Sequence, residues 1–292
     1  MGRKVTYLDC DVEEPDGHLF LKPVFTSQEN VTILSPVAVD PDRCIACGKC
    51  SEACTYNAIA VIKEKVLFFP ELCHACGACT IVCPTDAIIE EEKKIGTSAH
   101  GKSGEIEFHH ALLETGSGGM SPRLVREVKK HAGDGINILD SSPGTACPVA
   151  ETVRDADLVV LVTDPTPFGI NDLKLATNMT RRIGGEPVVL VNRAGFDAEQ
   201  LEEYCEVSHL EVLGEIPDDR RIAEMYSSGD LIIDKLPEYR ELFFEIARKM
   251  ESRANEKRPV REPEETEIRG EKLKSVNLAG SRSEATVIPK EL

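Results

Sequence analysis

Positive charge is scarce in these 292 residues: 34 Lys and Arg stand against 51 Asp and Glu, a formal net charge of −17. That balance excludes a nucleic-acid backbone or an anionic membrane surface as the main partner, because both would be repelled. No local basic patch offsets it. Long apolar runs are missing as well. None approaches the roughly 20 residues that cross a bilayer, and residues 1–20 hold no apolar core of the kind that marks a secretory signal. The sequence reads as a soluble, cytoplasmic chain with no nucleic-acid partner and no membrane span. It is long enough for one large domain or two smaller ones. Eleven cysteines are many for a reducing compartment unless they bind metal or react, so their spacing decides their use.

Eight of the eleven fall into two copies of one pattern. "CIACGKCSEAC" sets Cys44, Cys47, Cys50 and Cys54 in a CxxCxxCxxxC run, and "CHACGACTIVCP" repeats it with Cys73, Cys76, Cys79 and Cys83. Ala46/Ala75, Gly48/Gly77, Ala58/Ala87 and Ile59/Ile88 recur at the same offset, so the segment is an internal duplication. In such runs three thiolates wrap a loop around one cubane cluster and the fourth reaches the cluster of the other half. Cys44, Cys47, Cys50 and Cys83 are therefore expected to hold one [4Fe-4S] cluster, and Cys73, Cys76, Cys79 and Cys54 the second. Gly48 and Gly77 are expected where the backbone must approach sulfur. A disulfide scaffold would need a secreted chain, and zinc sites need no interleaved quartets. The module resembles bacterial two-cluster ferredoxins over about residues 36–92, with Thr55 where the second copy keeps Pro84. The resemblance implies electron transfer; a purely structural role is the alternative.

On the carboxyl side of this module apolar strands and amphipathic helices alternate. "SPRLVREVKKHA" begins with Ser121 as N-cap and Pro122, and puts Leu124, Val125 and Val128 on one face. "INILDSSPGT" reads as a buried strand ending in an acidic turn. "DLVVLVTDP", "EPVVLVNRAG" and "LEVLGEIPDD" are further strands, separated by "NDLKLATNMTRRIGG" and "AEQLEEYCEV" as helices. The expected fold is α/β, a doubly wound, mostly parallel sheet, with the ferredoxin inserted after the first strand, "KVTYLDCD". In such folds chemistry sits at the carboxyl ends of strands, here Asp9, Asp11, Asp140, Asp164, Asn192 and "IPDD". Acids there suit a Mg-nucleotide site, although strand-end acids are also common as solvated turn residues.

In order, "YLDCDVEEPDGHLFLKP", "GGMSPRLVREVKK", "ILDSSPGTACPVAETVRDADLVVLVTDP", "VLVNRAG" and "VLGEIPDDRRIAEMYSSGDLI" resemble the MinD/ParA/Mrp superfamily of deviant P-loop ATPases, in its branch with an inserted ferredoxin. The resemblance covers about residues 4–250. It implies ATP or ADP with Mg as a cofactor, Asp11 as the switch acid near the attacking water and Asp140 as the Walker B acid. It also implies Pro143 and Gly144 in the second switch, Asn192 on the adenine edge, and Pro217 and Asp219 bordering the base. A homodimer or a paired homologous subunit is implied too, beside a redox partner protein that the sequence does not identify. The domain organisation that follows is 1–35 and 93–251 for the ATPase-like body, 36–92 for the ferredoxin and 252–292 for a mobile tail.

Members of that superfamily carry a glycine-rich phosphate loop before the strand that ends in the first acidic motif, whereas this sequence reaches that strand at Val5. The body is thus expected to lack its phosphate-binding segment, leaving "INILD" without one neighbour and ATPase activity impaired. "GTSAHGKS" (96–103) fits GxxxxGK[ST], but its flanks, "IIEEEKKI" and "GEIEFHHALLE", offer neither the required strand nor the required helix. It is expected to be a surface turn matched by chance. Cys10, Cys147 and Cys205 read as buried thiols, a redox or partner role staying open for Cys147. His109 and His110, adjacent on a strand, point to opposite faces.

Overall fold

The computed structural model describes residues 3–195 and 198–256. The ten strands among the described residues are β1 (Val5–Asp9), β2 (Val24–Val39), β3 (Ile59–Ile62), β4 (Lys65–Phe68), β5 (Ile88–Ser103), β6 (Ile106–Leu113), β7 (Ile136–Asp140), β8 (Val159–Thr163), β9 (Pro187–Ala194) and β10 (Val212–Pro217). They form a five-stranded sheet in the order β2-β5-β6-β1-β7, a three-stranded sheet β10-β9-β8 and a hairpin β3-β4. β1 runs parallel to β6 and β7, and β9 runs parallel to β8 and β10. The expected α/β class with mostly parallel body strands is therefore present. It is divided, however: β7 and β8 are both edges.

Local chemistry explains the elements. Val159–Thr163 and Pro187–Ala194 are runs of β-branched and aliphatic residues, and in the second Val188, Val189 and Val191 are buried, as a strand covered on both faces requires. Thr166 caps the helix Pro167–Arg182 by accepting from the Gly169 amide at 3.1 Å, with Pro167 in the first turn. In the helix Ser121–Lys129, Leu124, Val125 and Val128 are fully buried against Leu8, Cys10, Val12 and Ala111. Ser121 lies inside the first turn rather than at the cap, and its hydroxyl donates to Glu13 Oε1 at 2.6 Å. A second core joins Ile170, Leu173, Val189, Val191, Leu201, Cys205 and Leu210 beneath the other sheet.

The cysteine module is carried on an antiparallel ribbon of two 16-residue strands, β2 and β5. "GTSAHGKS" is the carboxyl half of β5, a strand rather than the expected turn. It is paired on both sides, to β2 and to β6. Both of its glycines have sheet-packing reasons. A Cβ on Gly96 would lie 2.6 Å from the Leu112 carbonyl oxygen, and one on Gly101 would lie 2.5 Å from that of Val24. Lys102 pairs with Glu107 at 2.5 Å. No helix begins there to present amides to a phosphate.

"INILD" is not buried as expected, with Ile138 48% exposed, although its expected lack of one neighbour is present: β7 is an edge. Val162 on β8 is exposed as well. Cys10 and Cys205 are buried as expected, but Cys147 is exposed. The last helix runs from Arg240 to Asn255, across the expected boundary at 251/252. The rest of the expected tail, 257–292, lies outside the described residues. No helix among the described residues is long and apolar enough to cross a membrane.

Candidate functional site

Two regions carry chemistry, and the cysteine module is the more local of them. Each copy is a loop followed by one helical turn, Lys49–Glu52 and Ala78–Ile81, with Gly48 and Gly77 at the turn's start. These glycines have φ of 82° and 75°, a left-handed backbone that favours glycine. Ala46 and Ala75 share left-handed φ values of 51° and 47°, as do Asn57 and Asp86 at 54° and 50°. The duplication is thus a duplication of backbone shape. Thr55 and Pro84 occupy equivalent turns, so the departure at Thr55 leaves the backbone unchanged.

That shape aims amides at sulfur. Ala46 N–H donates to Cys44 Sγ at 3.4 Å and Ala75 N–H to Cys73 Sγ at 3.3 Å; Ala58 and Ala87 donate to Cys54 and Cys83, each at 3.2 Å. Amide donors directed at thiolates are what an iron–sulfur cluster needs to offset its negative charge. Cys44, Cys47, Cys50 and Cys83 line one small cavity with Val61, Val66 and Ile88. The fourth cysteine of the second run therefore stands with the first three of the first. All eleven cysteines are free of disulfides. No group of three potential ligands among the described residues closes on a single metal ion. A cubane spreads its thiolates wider than the roughly 2.3 Å bonds around one zinc allow.

The second loop is docked on the body. His74 stacks on Tyr56 with ring centroids 3.7 Å apart and fills the space beside Gly119, where a Cβ would meet its ring at 2.6 Å. Burial and the Arg123 charge hold the His74 imidazole below its usual range. Arg123 Nη2 donates to the Ala75 carbonyl at 2.7 Å. Ala75, Ile95 and Met120 form a small buried cluster across the seam.

The second region is the carboxyl end of β1 and β7. Asp9 and Asp140 are register partners on these parallel strands. Asp9 is buried and accepts from the amides of Gly17 at 3.0 Å and Asp11 at 3.3 Å. Burial outweighs those donors and pushes its carboxyl up to about 7. Burial also raises Asp140, against the lowering effect of a hydrogen bond donated by the Tyr7 hydroxyl. The Tyr7 phenol is pushed far above its ordinary range, by burial first and by Asp140 next. Carboxyl groups gathered in this way cannot all ionise without a counter-cation. Asp11, Asp16, Asp140, Tyr7 and Pro143 line a cavity of about 580 Å³ that the Phe20 and Tyr226 rings also border.

The other expected nucleotide residues stand elsewhere. Asn192 lies in β9 and Pro217 ends β10, both in the second sheet, and neither lines that cavity. Asp219 caps the helix Arg220–Ser227, with Arg221 and the Tyr239 hydroxyl on its carboxylate, which they hold far below the usual range. Gly144, with φ of 93°, follows Pro143 in the loop after β7. Arg193 is 3.5 Å from Asp164 and 3.7 Å from Asp218 and ties the strand ends of that sheet. Sequence reasoning overlooked Tyr7, although its place two residues before Asp9 put both on one strand face. It also missed Arg123, whose contact with the second loop has no signal in the repeat. His109 and His110 do face opposite ways: His109 stacks on His100 and His131, His110 on Phe25.

The family model for a 4Fe-4S dicluster domain matches residues 37–90. The uncharacterized protein MJ0579 of Methanocaldococcus jannaschii is 30% identical over 251 residues, 84% of this chain and 86% of that protein. MJ0578 of the same organism is 32% identical over 197 residues, 66% of this chain and 68% of its own length. Among solved structures the chain is similar to the cell division ATPase MinD of Pyrococcus furiosus, at 18% identity and a TM-score of 0.48, with 86% of each chain covered. The chain is thus an iron–sulfur protein with a 4Fe-4S dicluster domain, and it belongs to the family of MJ0579.

Proposed function

We propose that this protein is an electron-transfer protein of the MinD/Mrp ATPase class that binds two [4Fe-4S] clusters. The observation that carries the reading is the interleaving of the two cysteine runs, with Cys83 at the cavity of Cys44, Cys47 and Cys50. By the same rule Cys54 completes the set of Cys73, Cys76 and Cys79. When bound, the clusters supply one-electron chemistry. The chain's part is to hold them by thiolate, to direct the Ala46, Ala58, Ala75 and Ala87 amides at sulfur, and to keep the first loop exposed to a partner. Iron and sulfide analysis of anaerobically prepared protein tests the count: about eight of each per chain is expected, and four or fewer removes the second cluster.

Asp11 and Asp140 are the residues we assign to a Mg-nucleotide site, Asp140 toward the metal and Asp11 toward water, with Pro143 and Gly144 in the adjoining switch. Asn192, Pro217 and Asp219 would border the base. Support comes from the order of the sequence motifs and from the acidic cavity at the ends of β1 and β7. A second reading is a non-hydrolytic electron carrier or scaffold that keeps the body alone. It is favoured by Lys102, the lysine of the phosphate-loop pattern, which sits in a strand and is paired to Glu107. Mg-dependent ATP turnover that disappears in Lys102→Ala would exclude it. A dimer, of two copies or of paired homologous subunits, fits the class and is tested by mass in solution.

A further inference from the structure

The duplication makes the two cysteine loops nearly equal in everything that local sequence controls. Each quartet receives two amide donors and one hydroxyl near sulfur, Thr85 at 3.8 Å from Cys83 and Ser35 at 3.9 Å from Cys73. An acidic residue precedes the first cysteine by two in both copies, Asp42 and Glu71. What differs is tertiary. The Ala75 carbonyl of the second loop accepts from Arg123, a side chain fixed in the first turn of the helix Ser121–Lys129. Ala75 is buried, whereas Ala46 is half-exposed and its neighbour Ile45 is 64% exposed.

We propose that Arg123 tunes the cluster of Cys54, Cys73, Cys76 and Cys79 to a higher reduction potential than its twin, so that an electron received from any one-electron donor settles on the cluster beside the body. The inference rests on the two-cluster reading above. Reduction adds one negative charge to a cluster, and a fixed cation nearby favours the more negative state. The first loop has cations too, Arg43 and Lys49, and the question is which acts more strongly. Arg43 also donates to a backbone carbonyl of the module, that of Asp86 at 3.1 Å, but its side chain is 61% exposed and 3.8 Å from the Asp40 carboxylate, and Lys49 is exposed. Their charge is spread through water and screened by salt. Arg123 is part-buried in a packed seam, bonded to the loop's own backbone, and pairs with no carboxylate among the described residues. The same charge acts more strongly there, because less water lies between. Burial of the second loop works in the opposite direction, and the Arg123 contact must exceed it for the proposal to hold.

The arrangement also fixes where Arg123 can be. Two residues before it, Ser121 donates to Glu13 in the loop that follows the Asp11 strand end. The turn that carries the cation is held by the loop after β1 on one side and by the cluster loop on the other.

The test is a potentiometric titration of the full chain with dithionite, followed by low-temperature electron paramagnetic resonance, in native protein, Arg123→Gln, Arg123→Lys and Arg43→Gln. Two one-electron couples are expected in the native protein. In Arg123→Gln the higher couple should fall about tenfold in its equilibrium constant, about 59 mV for one electron, while the lower stays. Arg123→Lys keeps the charge and should leave both couples in place. Arg43→Gln should move the lower couple by less. Iron analysis reads the cluster count separately. Eight irons with both couples unmoved, or moved equally, in Arg123→Gln overturn this inference and leave the two-cluster reading standing. If the Gln protein does not keep its clusters, the Lys protein decides, because a fall there as large as tenfold means that charge is not the cause.

Discussion

The cysteine module and the carboxylate site are built on opposite plans. In the module every ligand lies within 40 residues of every other, and short turns with left-handed residues bring the thiols together. In the carboxylate site Asp9 and Asp140 are 131 residues apart and meet only because β1 and β7 pair in parallel register. The first plan tolerates insertion anywhere that offers two chain ends side by side, as the β2-β5 ribbon does. The second depends on the whole sheet. That sheet is open between β7 and β8, where each strand has a partner on one side alone.

The sharpest way to break the contrast is to remove a ligand. Cys79→Ser should lower iron from about eight to about four per chain, with no change in the body's far-ultraviolet circular dichroism, while Cys205→Ser should leave iron unchanged. Loss of all iron would show that the clusters form only together. The module's own structure should in turn depend on iron, since metal binding and folding are one free energy in small metal domains. Chelation should unfold it and leave the body's transition in place.

Smaller effects test the carboxylate site itself. Gly17 donates its amide to Asp9, and a Cβ there would come within 2.6 Å of the Tyr7 ring and 3.0 Å of the Asp9 carboxylate. Gly17→Ala should therefore destabilise the body by about 2 kcal/mol in urea unfolding. Asp9 has its folded pKa raised from 3.8 to about 7, so its protonated form contributes stability that is complete below pH 3.8 and is lost as pH rises through 7. His109 and His110 are lowered from 6.5 to about 4, so theirs is complete above pH 6.5 and lost as pH falls through 4. The two effects oppose each other between pH 4 and 7. Asp9→Asn removes one of them: relative to the native protein it should gain about 2 kcal/mol on going from pH 5 to pH 8. A constant difference between the two proteins across that range would show that Asp9 is ionised throughout.

The cysteine ligands were legible because cluster chemistry demands particular residues at fixed short spacings, and a spacing survives in sequence whatever the surroundings. Pro187–Ala194 was legible for a related reason, since a strand covered on both faces must be apolar along its length. "GTSAHGKS" read as a turn because its flanks offered neither strand nor helix, and four of its eight residues, Gly96, Ser98, Gly101 and Ser103, are turn formers. Their place in β5 was decided by the two strands that flank it. "INILD" reads as buried because it is apolar, but apolar content does not say what covers a strand.

By itself, then, the sequence determined the two cysteine quartets, the α/β alternation and the acids at the strand ends, all of which follow from local spacing and periodicity. Tertiary structure alone decided that Tyr7 donates to Asp140 and that Arg123 touches one cysteine loop and not its twin. These contacts join residues 48 or more positions apart, and two copies with the same local pattern can differ only through what the rest of the fold places against them.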